Sequence, residues 1–480
     1  MPQFVPLGNE ALAQGVLDAG LSGVYAYPGT PSTEITEYLQ RAPESAARGV
    51  HTAWSANEKT AMETALGMSY AGKRALVCMK HVGLNVAADP FMNSAVTGVN
   101  GGLLYAIADD PSMHSSQNEQ DSRYYGRFAL IPMIEPANQQ ECYDAAFYGF
   151  ELSEKYRIPV LIRMTTRLSH SRARVIRREV QPENRLNLPT NPRQFLLLPA
   201  IARAKYAHLL EQQSQFEAES ESSPFNRYED GPDKRLGILA CGLAYNYLLE
   251  NFPDGCPHPI LKISQYPLPA KLVARLISEC ESVLVLEDGM PLVEEMLRGF
   301  PVSAPNVRGR LDGSLPRAGE LNPNLVGKAL GLPIPESAFT TPDVVVNRPP
   351  QLCQGCPHGD TFDAINAALD EYSKGRVFSD IGCYTLGALP PYEAIYSCVD
   401  MGASITMAKG AADAGLVPAV AVIGDSTFSH SGMTGLLDVV NEKSRVKIVI
   451  VDNLTTAMTG GQDTPGTGHL EQIAVGLGVL

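Results

Sequence analysis

No stretch of this 480-residue chain approaches the run of about 20 apolar residues that crosses a bilayer. Its first residues, MPQFVPLGNEALAQ, carry neither a basic leader nor a long apolar core. We therefore expect no membrane partner and a cytoplasmic location. Excess positive charge is missing as well: 38 Lys and Arg stand against 52 Asp and Glu, a net charge of −14. That balance argues against nucleic acid, which favours a basic face, while a small acidic metabolite can still find a local positive site. A disulfide framework is absent too, since nine cysteines are an odd number in a long chain without a secretion signal. Most read as buried thiols unless they cluster. No long repeat is evident.

The length exceeds what one core can serve and suggests about three domains. Helical and apolar extended patterns alternate over residues 1–165: a helix-like stretch Asn9 to Ala19, a helical NEKTAMETALGMSYAG at 57–72, and apolar runs RALVCM, GGLLYAIAD and RIPVLIRMT. Such alternation implies a parallel α/β sheet covered on both faces. Residues 166–234 are polar and rich in Pro and Ser, and read as a connecting segment. A second α/β unit follows at 235–330 with strands LGILACG and SVLVLED. After a Pro-rich break at 331–350, a third α/β unit covers 351–480 and stops about where a further strand is expected. The fold class is thus α/β, with three doubly wound units.

In such sheets ligands bind beyond the carboxyl ends of the strands. The decapeptide IGDSTFSHSG at 423–432 puts Asp425 at one such end, and VDN at 451–453 puts Asn453 at the next. Asp425 alone could simply cap the following helix. Asn453 comes 28 residues later (453 − 425), room for one helix and one strand. A carboxylate, an amide oxygen and the Thr455 carbonyl would give three hard ligands for Mg²⁺, completed by phosphate oxygens and water. The sequence CQGC holds Cys353 and Cys356, and Cys383 follows in DIGC. Three such thiols suit Zn²⁺ or a [4Fe–4S] cluster, or stay unligated.

The segments LCQGCPHGDTF, DIGCYTLGALPP, MGASITMAKG, IGDSTFSHSG and DNLTTAMTGGQDTPGTG resemble the large (alpha) subunits of indolepyruvate ferredoxin oxidoreductases, in the 2-oxoacid:ferredoxin oxidoreductase superfamily. YPGTPSTEI, NEKTAMETALGMSYAGKRALVCMKHVGLNVAADP and ADDPSMHSSQNEQDSR extend the resemblance to the N-terminal unit, with 170–235 the least similar part. The resemblance implies a pyrimidine-binding domain for thiamine diphosphate (ThDP) at 1–165, a transketolase-C-like domain at 235–330 and a diphosphate-binding domain at 351–480. It implies that Glu58 meets the cofactor pyrimidine, a role to weigh against an ordinary acid in a first helical turn. Gly424, Asp425, Ser426, Asn453 and Thr455 would hold the diphosphate and its Mg²⁺.

Thr30 matches the position that approaches the substrate, or else serves a turn. Lys80 and His81 open HVGLN, which resembles a loop near the reacting centre; His81, His114 and His430 are candidates to orient substrate, or structural histidines. Cys353, Cys356 and Cys383 match a cluster triplet whose fourth ligand is Cys398 or lies beyond Leu480. The implied activity is oxidative decarboxylation of aryl 2-oxoacids such as indolepyruvate and phenylpyruvate to acyl-coenzyme A. Electrons would pass to ferredoxin, and a smaller beta subunit would complete a hetero-oligomer. The family's ferredoxin-like tail, with two C-x₂-C-x₂-C-x₃-C-P runs, does not occur here, which leads us to expect a fragment or a shortened form. A non-oxidative ThDP decarboxylase or carboligase and a catalytically silent assembly subunit are the alternatives.

Overall fold

Runs such as Ala75–Lys80 and Leu103–Asp109 are buried along their whole length, so both faces must be covered and the crossovers between parallel neighbours are helices. The computed structural model describes residues 4–191, 193–299, 306–334, 342–346 and 351–479. Within them the strands are, in chain order, β1 (Gly23–Ala26), β2 (His51–Trp54), β3 (Ala75–Lys80), β4 (Leu103–Asp109), β5 (Met133–Ile134), β6 (Val160–Thr165), β7 (Arg227–Glu229) and β8 (Gly237–Cys241). They continue with β9 (Ile260–Ile263), β10 (Gln265–Tyr266), β11 (Val283–Leu286), β12 (Val307–Arg308), β13 (Val377–Ser379), β14 (Ala419–Gly424) and β15 (Val446–Val451).

Three sheets result, in the orders β10-β5-β6-β4-β3-β1-β2, β12-β11-β8-β9-β7 and β13-β14-β15. The pairs β1/β3, β3/β4, β4/β6, β8/β11, β8/β9, β13/β14 and β14/β15 are parallel. The short β10 and β7 run antiparallel at sheet edges. The chain divides into two compact units, Met1–Ala53 with Glu58–Glu336, and Trp54–Asn57 with Ser337–Leu480. The break read at 331–350 falls largely outside the described residues.

The first unit carries two sheets on one continuous core, in which Val77, Tyr105 and Leu161 of the first sheet join Leu239, Leu261 and Val285 of the second. Residues 166–234, expected as a connecting segment, include the 23-residue helix Pro199–Glu221. Its buried positions, Leu209, Gln212, Phe216 and Ser220, keep helical spacing, but only two of them are apolar, so the stripe is nearly invisible to a hydrophobic pattern. Leu209 and Phe216 enter the common core, each burial contributing roughly 1.5–3 kcal/mol.

Two fully buried arginines bind the strand ends of the first sheet to the second sheet. Arg163 on β6 donates from Nε to Asp109 (2.6 Å), from Nη1 to Glu135, and from Nη2 to the Asp288 carbonyl (2.8 Å). Arg123 pairs with Asp121 (2.5 Å) and Glu287 (3.0 Å). Burial would raise Asp121, but the two guanidiniums beside it hold it down at about 2. Burial raises Asp109 and Glu287 against the same cations.

Candidate functional site

In the second unit, β14 (AVAVIG) is buried from end to end, and Gly424 closes it because the chain passes the Tyr384 ring there: a Cβ would come within 2.6 Å of that ring. The parallel register pairs Gly424 with Val451, so the next residues on the two strands are Asp425 and Asp452. Gly424 holds the cap position and Asp425 is the first helical residue, so capping does not account for Asp425. A helical turn Asp425–Thr427 leads into the π-helical Phe428–Gly432 and the helix Met433–Glu442. Such π-turns recur at functional sites because they tilt side chains out of the α-helical register.

Asp425 is buried, and its Oδ2 has no hydrogen-bond partner. Burial and the facing Asp452 carboxyl push its pKa up to about 6, although the Ser426 and Thr455 amides pull it down. The loop after β15 is tight: Asp452 Oδ1 accepts from Leu454 N (2.9 Å) and Asn453 Oδ1 from Thr455 N (3.3 Å), with Leu454 at a left-handed φ of 63°. Ser426 Oγ meets Thr456 Oγ1 at 2.9 Å, which ties this loop to the turn after β14. A buried carboxylate oxygen without a partner, facing a second carboxylate, suits a hard cation such as Mg²⁺. The carboxylate in register with Asp425 is Asp452, and Asn453 stands one residue further on. His430 is buried in the π-turn, with Nδ1 2.5 Å from Ser431 Oγ.

The cysteine triplet lies in the same unit. Cys356 precedes the helix Pro357–Ala368 with its Sγ 3.2 Å from His358 Nδ1, and Cys383 opens the turn Cys383–Ala388. Burial raises the Cys383 thiol, and the nearby Cys353 and Cys356 raise it further, so the three thiols are neighbours. Cys398 is exposed, lies 4.0 Å from Thr385 Oγ1 and feels Asp380, and none of the triplet acts on it. Among the described residues no three His, Cys, Asp or Glu are arranged to hold a single metal ion. Beside the triplet the buried Asp380, pushed up to about 6 by burial, accepts from the Tyr384 hydroxyl and from Ser404 N (3.1 Å).

In the first unit, Glu58 begins the helix Glu58–Tyr70 and is buried, 6% exposed, which removes its reading as a solvated first-turn acid. The helix His81–Val86 lies on its carboxyl group through Gly83: a Cβ there would come 2.5 Å from Glu58 Oε1. A carboxyl enclosed in this way suits a shared proton at a pyrimidine nitrogen. His81 is buried, its Nε2 3.3 Å from the Asn118 carbonyl and its Nδ1 without a partner. Thr30 is half-buried in the loop after β1, and its carbonyl accepts from Ser115 Oγ (3.3 Å). His114 stands apart, half exposed and 3.6 Å from Glu320. Three contributors escaped the sequence reading: Asp452, Asp380 and Gly83. The first two, like Asp425, stand directly after a strand.

The family model for pyruvate flavodoxin/ferredoxin oxidoreductase, thiamine diphosphate-binding, matches residues 14–222, and that for the C-terminal TPP-binding domain of thiamine pyrophosphate enzymes matches 380–474. The indolepyruvate oxidoreductase subunit IorA of Methanothermobacter thermautotrophicus is 41% identical over 96% of this chain and 76% of its own length. The IorA subunit of Archaeoglobus fulgidus is 42% identical with the same coverage. Among solved structures, a 2-oxoglutarate:ferredoxin oxidoreductase from Magnetococcus marinus, with 2-oxoglutarate, coenzyme A and succinyl-CoA bound, aligns with a TM-score of 0.56. It is 17% identical over 68% of this chain and 65% of that one, a likeness of fold.

Proposed function

The chain belongs to the IorA family of indolepyruvate oxidoreductase subunits, oxidoreductases of the 2-oxoacid type, and from that premise we propose that it oxidatively decarboxylates aryl 2-oxoacids. Indolepyruvate and phenylpyruvate would react with coenzyme A to give the acyl-CoA. For each turnover a carboxylate leaves as CO₂, the thiol proton is released, and two electrons pass to ferredoxin. A smaller subunit would complete the hetero-oligomer in the cytoplasm, as the word subunit in the relatives' names suggests.

The observation that carries this reading is the buried, unpartnered Oδ2 of Asp425 at the end of β14, facing Asp452. Asp425 and Asn453, with the Thr455 backbone and the Gly424–Ser426 turn, would hold Mg²⁺ and a diphosphate. Glu58, enclosed by Gly83, would hold and move a proton at the pyrimidine nitrogen N1′. When bound, ThDP supplies a nucleophilic carbon and an electron sink, and a [4Fe–4S] cluster supplies a relay for single electrons. Cys353, Cys356 and Cys383 would hold three corners of that cluster. Thr30 and His81 would orient the substrate, His81 through its free Nδ1.

The test is anaerobic purification with the smaller subunit, followed by assays for iron, for ThDP and for viologen reduction. Dye reduction that requires both indolepyruvate and coenzyme A is expected. Release of CO₂ and aldehyde without dye reduction would replace this reading with a non-oxidative decarboxylase.

A further inference from the structure

A chain of net charge −14 that takes a small carboxylic acid needs a cation where the acid lands. At the carboxyl ends of the first sheet the cations are few. Arg163 is committed to Asp109 and Glu135, Arg167 pairs with Glu320, and His170 pairs with Glu34. Lys80, the last residue of β3, differs: its side chain is buried, 8% exposed, yet among the described residues it forms no ion pair.

The Lys80 ammonium donates to the Ser115 carbonyl (2.7 Å) and lies 3.3 Å from Ser115 Oγ. Ser115 Oγ in turn reaches the Thr30 carbonyl (3.3 Å), so the lysine head sits one side chain away from Thr30. Gly29, next to Thr30, lies against the stem: a Cβ there would come 3.2 Å from Lys80 Cβ. The nearest carboxylate is already satisfied elsewhere. Asp110 accepts from Ser115 N (2.8 Å), Ser116 Oγ (2.6 Å) and Thr166 Oγ1 (2.7 Å). Ser115 is an exposed loop residue and a neutral acceptor, and a neutral partner is a weak match for a buried cation. A carboxylate arriving beside Thr30 would be the stronger one.

We infer that Lys80 binds the carboxylate of the 2-oxoacid, with the Ser115 carbonyl as its resting partner in the free protein. This assignment rests on the functional reading above and adds a substrate-contacting residue to it. Burial lowers the pKa of Lys80 to about 8, with Asp110 opposing the shift. The titratable groups facing it are Asp110, held low by its hydrogen bonds against burial, and beyond it the His170–Glu34 pair. Lys80 is protonated and competent below about pH 8 and loses its charge above it, while Asp110 stays ionised throughout that range.

The test uses the holoenzyme with its partner subunit and compares wild type, Lys80→Gln and Lys80→Arg from pH 6 to 9.5. A charge-assisted hydrogen bond lost from the substrate raises KM roughly ten- to a hundredfold in Lys80→Gln. The change in kcat should be far smaller, ThDP affinity by calorimetry unchanged, and KM partly restored in Lys80→Arg. In wild type kcat/KM should fall as pH rises through about 8, and that limb should vanish in Lys80→Gln. An unmoved KM, or a loss of kcat and ThDP together at constant KM, overturns the assignment and leaves the reaction standing. A wild-type holoenzyme that turns over no 2-oxoacid overturns the functional reading, and this assignment with it.

Discussion

Replacing Asp425 by Asn should make the cofactor-free protein more stable while destroying its capacity to hold Mg²⁺ and diphosphate. In the free protein Asp425 is buried with one oxygen unpartnered and a second carboxyl facing it, and its pKa is pushed from the ordinary 3.8 up to about 6. A carboxyl raised on folding binds its proton more tightly in the folded chain than in the unfolded one. Stability therefore declines as pH rises from about 4 to about 6, and above that the whole difference is a cost. The interval corresponds to roughly 3 kcal/mol, an upper figure because Asp452 is exposed to water. Asn keeps the shape, carries no charge and can donate to Asp452.

The readout is hydrogen exchange of the β14 amides, whose strand the residue terminates. At pH 7.5, without cofactor, exchange in Asp425→Asn should slow by up to about a hundredfold relative to wild type. At pH 4 the two should coincide. Addition of Mg²⁺ and ThDP closes that gap: wild type gains about 2.7 kcal/mol at a hundred times Kd, and the variant gains nothing. Equal exchange at pH 7.5 in the free proteins, combined with intact Mg²⁺-dependent ThDP binding in the variant, would refute both the electrostatic account and the ligand assignment.

Glu58→Gln should retain ThDP while proton exchange at the cofactor C2, followed by NMR, slows by roughly 10²–10⁴; an unchanged rate removes Glu58 from that role. Cys356→Ser should abolish the electron paramagnetic signal of a reduced [4Fe–4S] cluster and the dye-linked activity, with ThDP affinity unaltered by calorimetry. Stoichiometric zinc in the wild-type protein would contradict this. Arg163→Met leaves Asp109 and Glu135 without their buried cation and should destabilise the first unit by roughly 3–5 kcal/mol in urea denaturation. The loss should be smaller at pH 5 than at pH 8, because burial already raises Asp109 and protonation neutralises it once its cation is gone.

Fold class, most strand positions and the strand-end location of Asp425 were legible because each rests on local pattern. The runs RALVCM, GGLLYAIAD and SVLVLED stand within a residue or two of β3, β4 and β11. The helix Pro199–Glu221 was not legible, since it meets the core through two apolar residues and two polar ones, and what fixes it is a tertiary surface that its own sequence does not contain. The motif VDN holds both Asp452 and Asn453, and its sequence does not say which of them faces Asp425. The reason is register: one residue of slip between β14 and β15 decides which side chain faces Asp425, and hydrophobic alternation cannot set it where both strands are apolar throughout much of their length.

The same limit governs every charge in the protein. Sequence shows that Lys80, Asp110 and Asp425 lie at strand ends and Arg163 within an apolar run, but whether each is paired is a nonlocal property. Arg163 finds two carboxylates on β4 and beside β5 and becomes structural; Lys80 finds a loop carbonyl and stays open to an anion. Asp425 finds another acid and stays open to a cation. The unsatisfied groups therefore mark candidate ligand positions more sharply than the motifs do, because folding leaves a buried charge unpaired only at a stability cost that a ligand of opposite sign offsets. By that criterion the carboxyl end of β3 is fitted to an anion and that of β14 to a cation, the two charges that a 2-oxoacid and a magnesium diphosphate would bring.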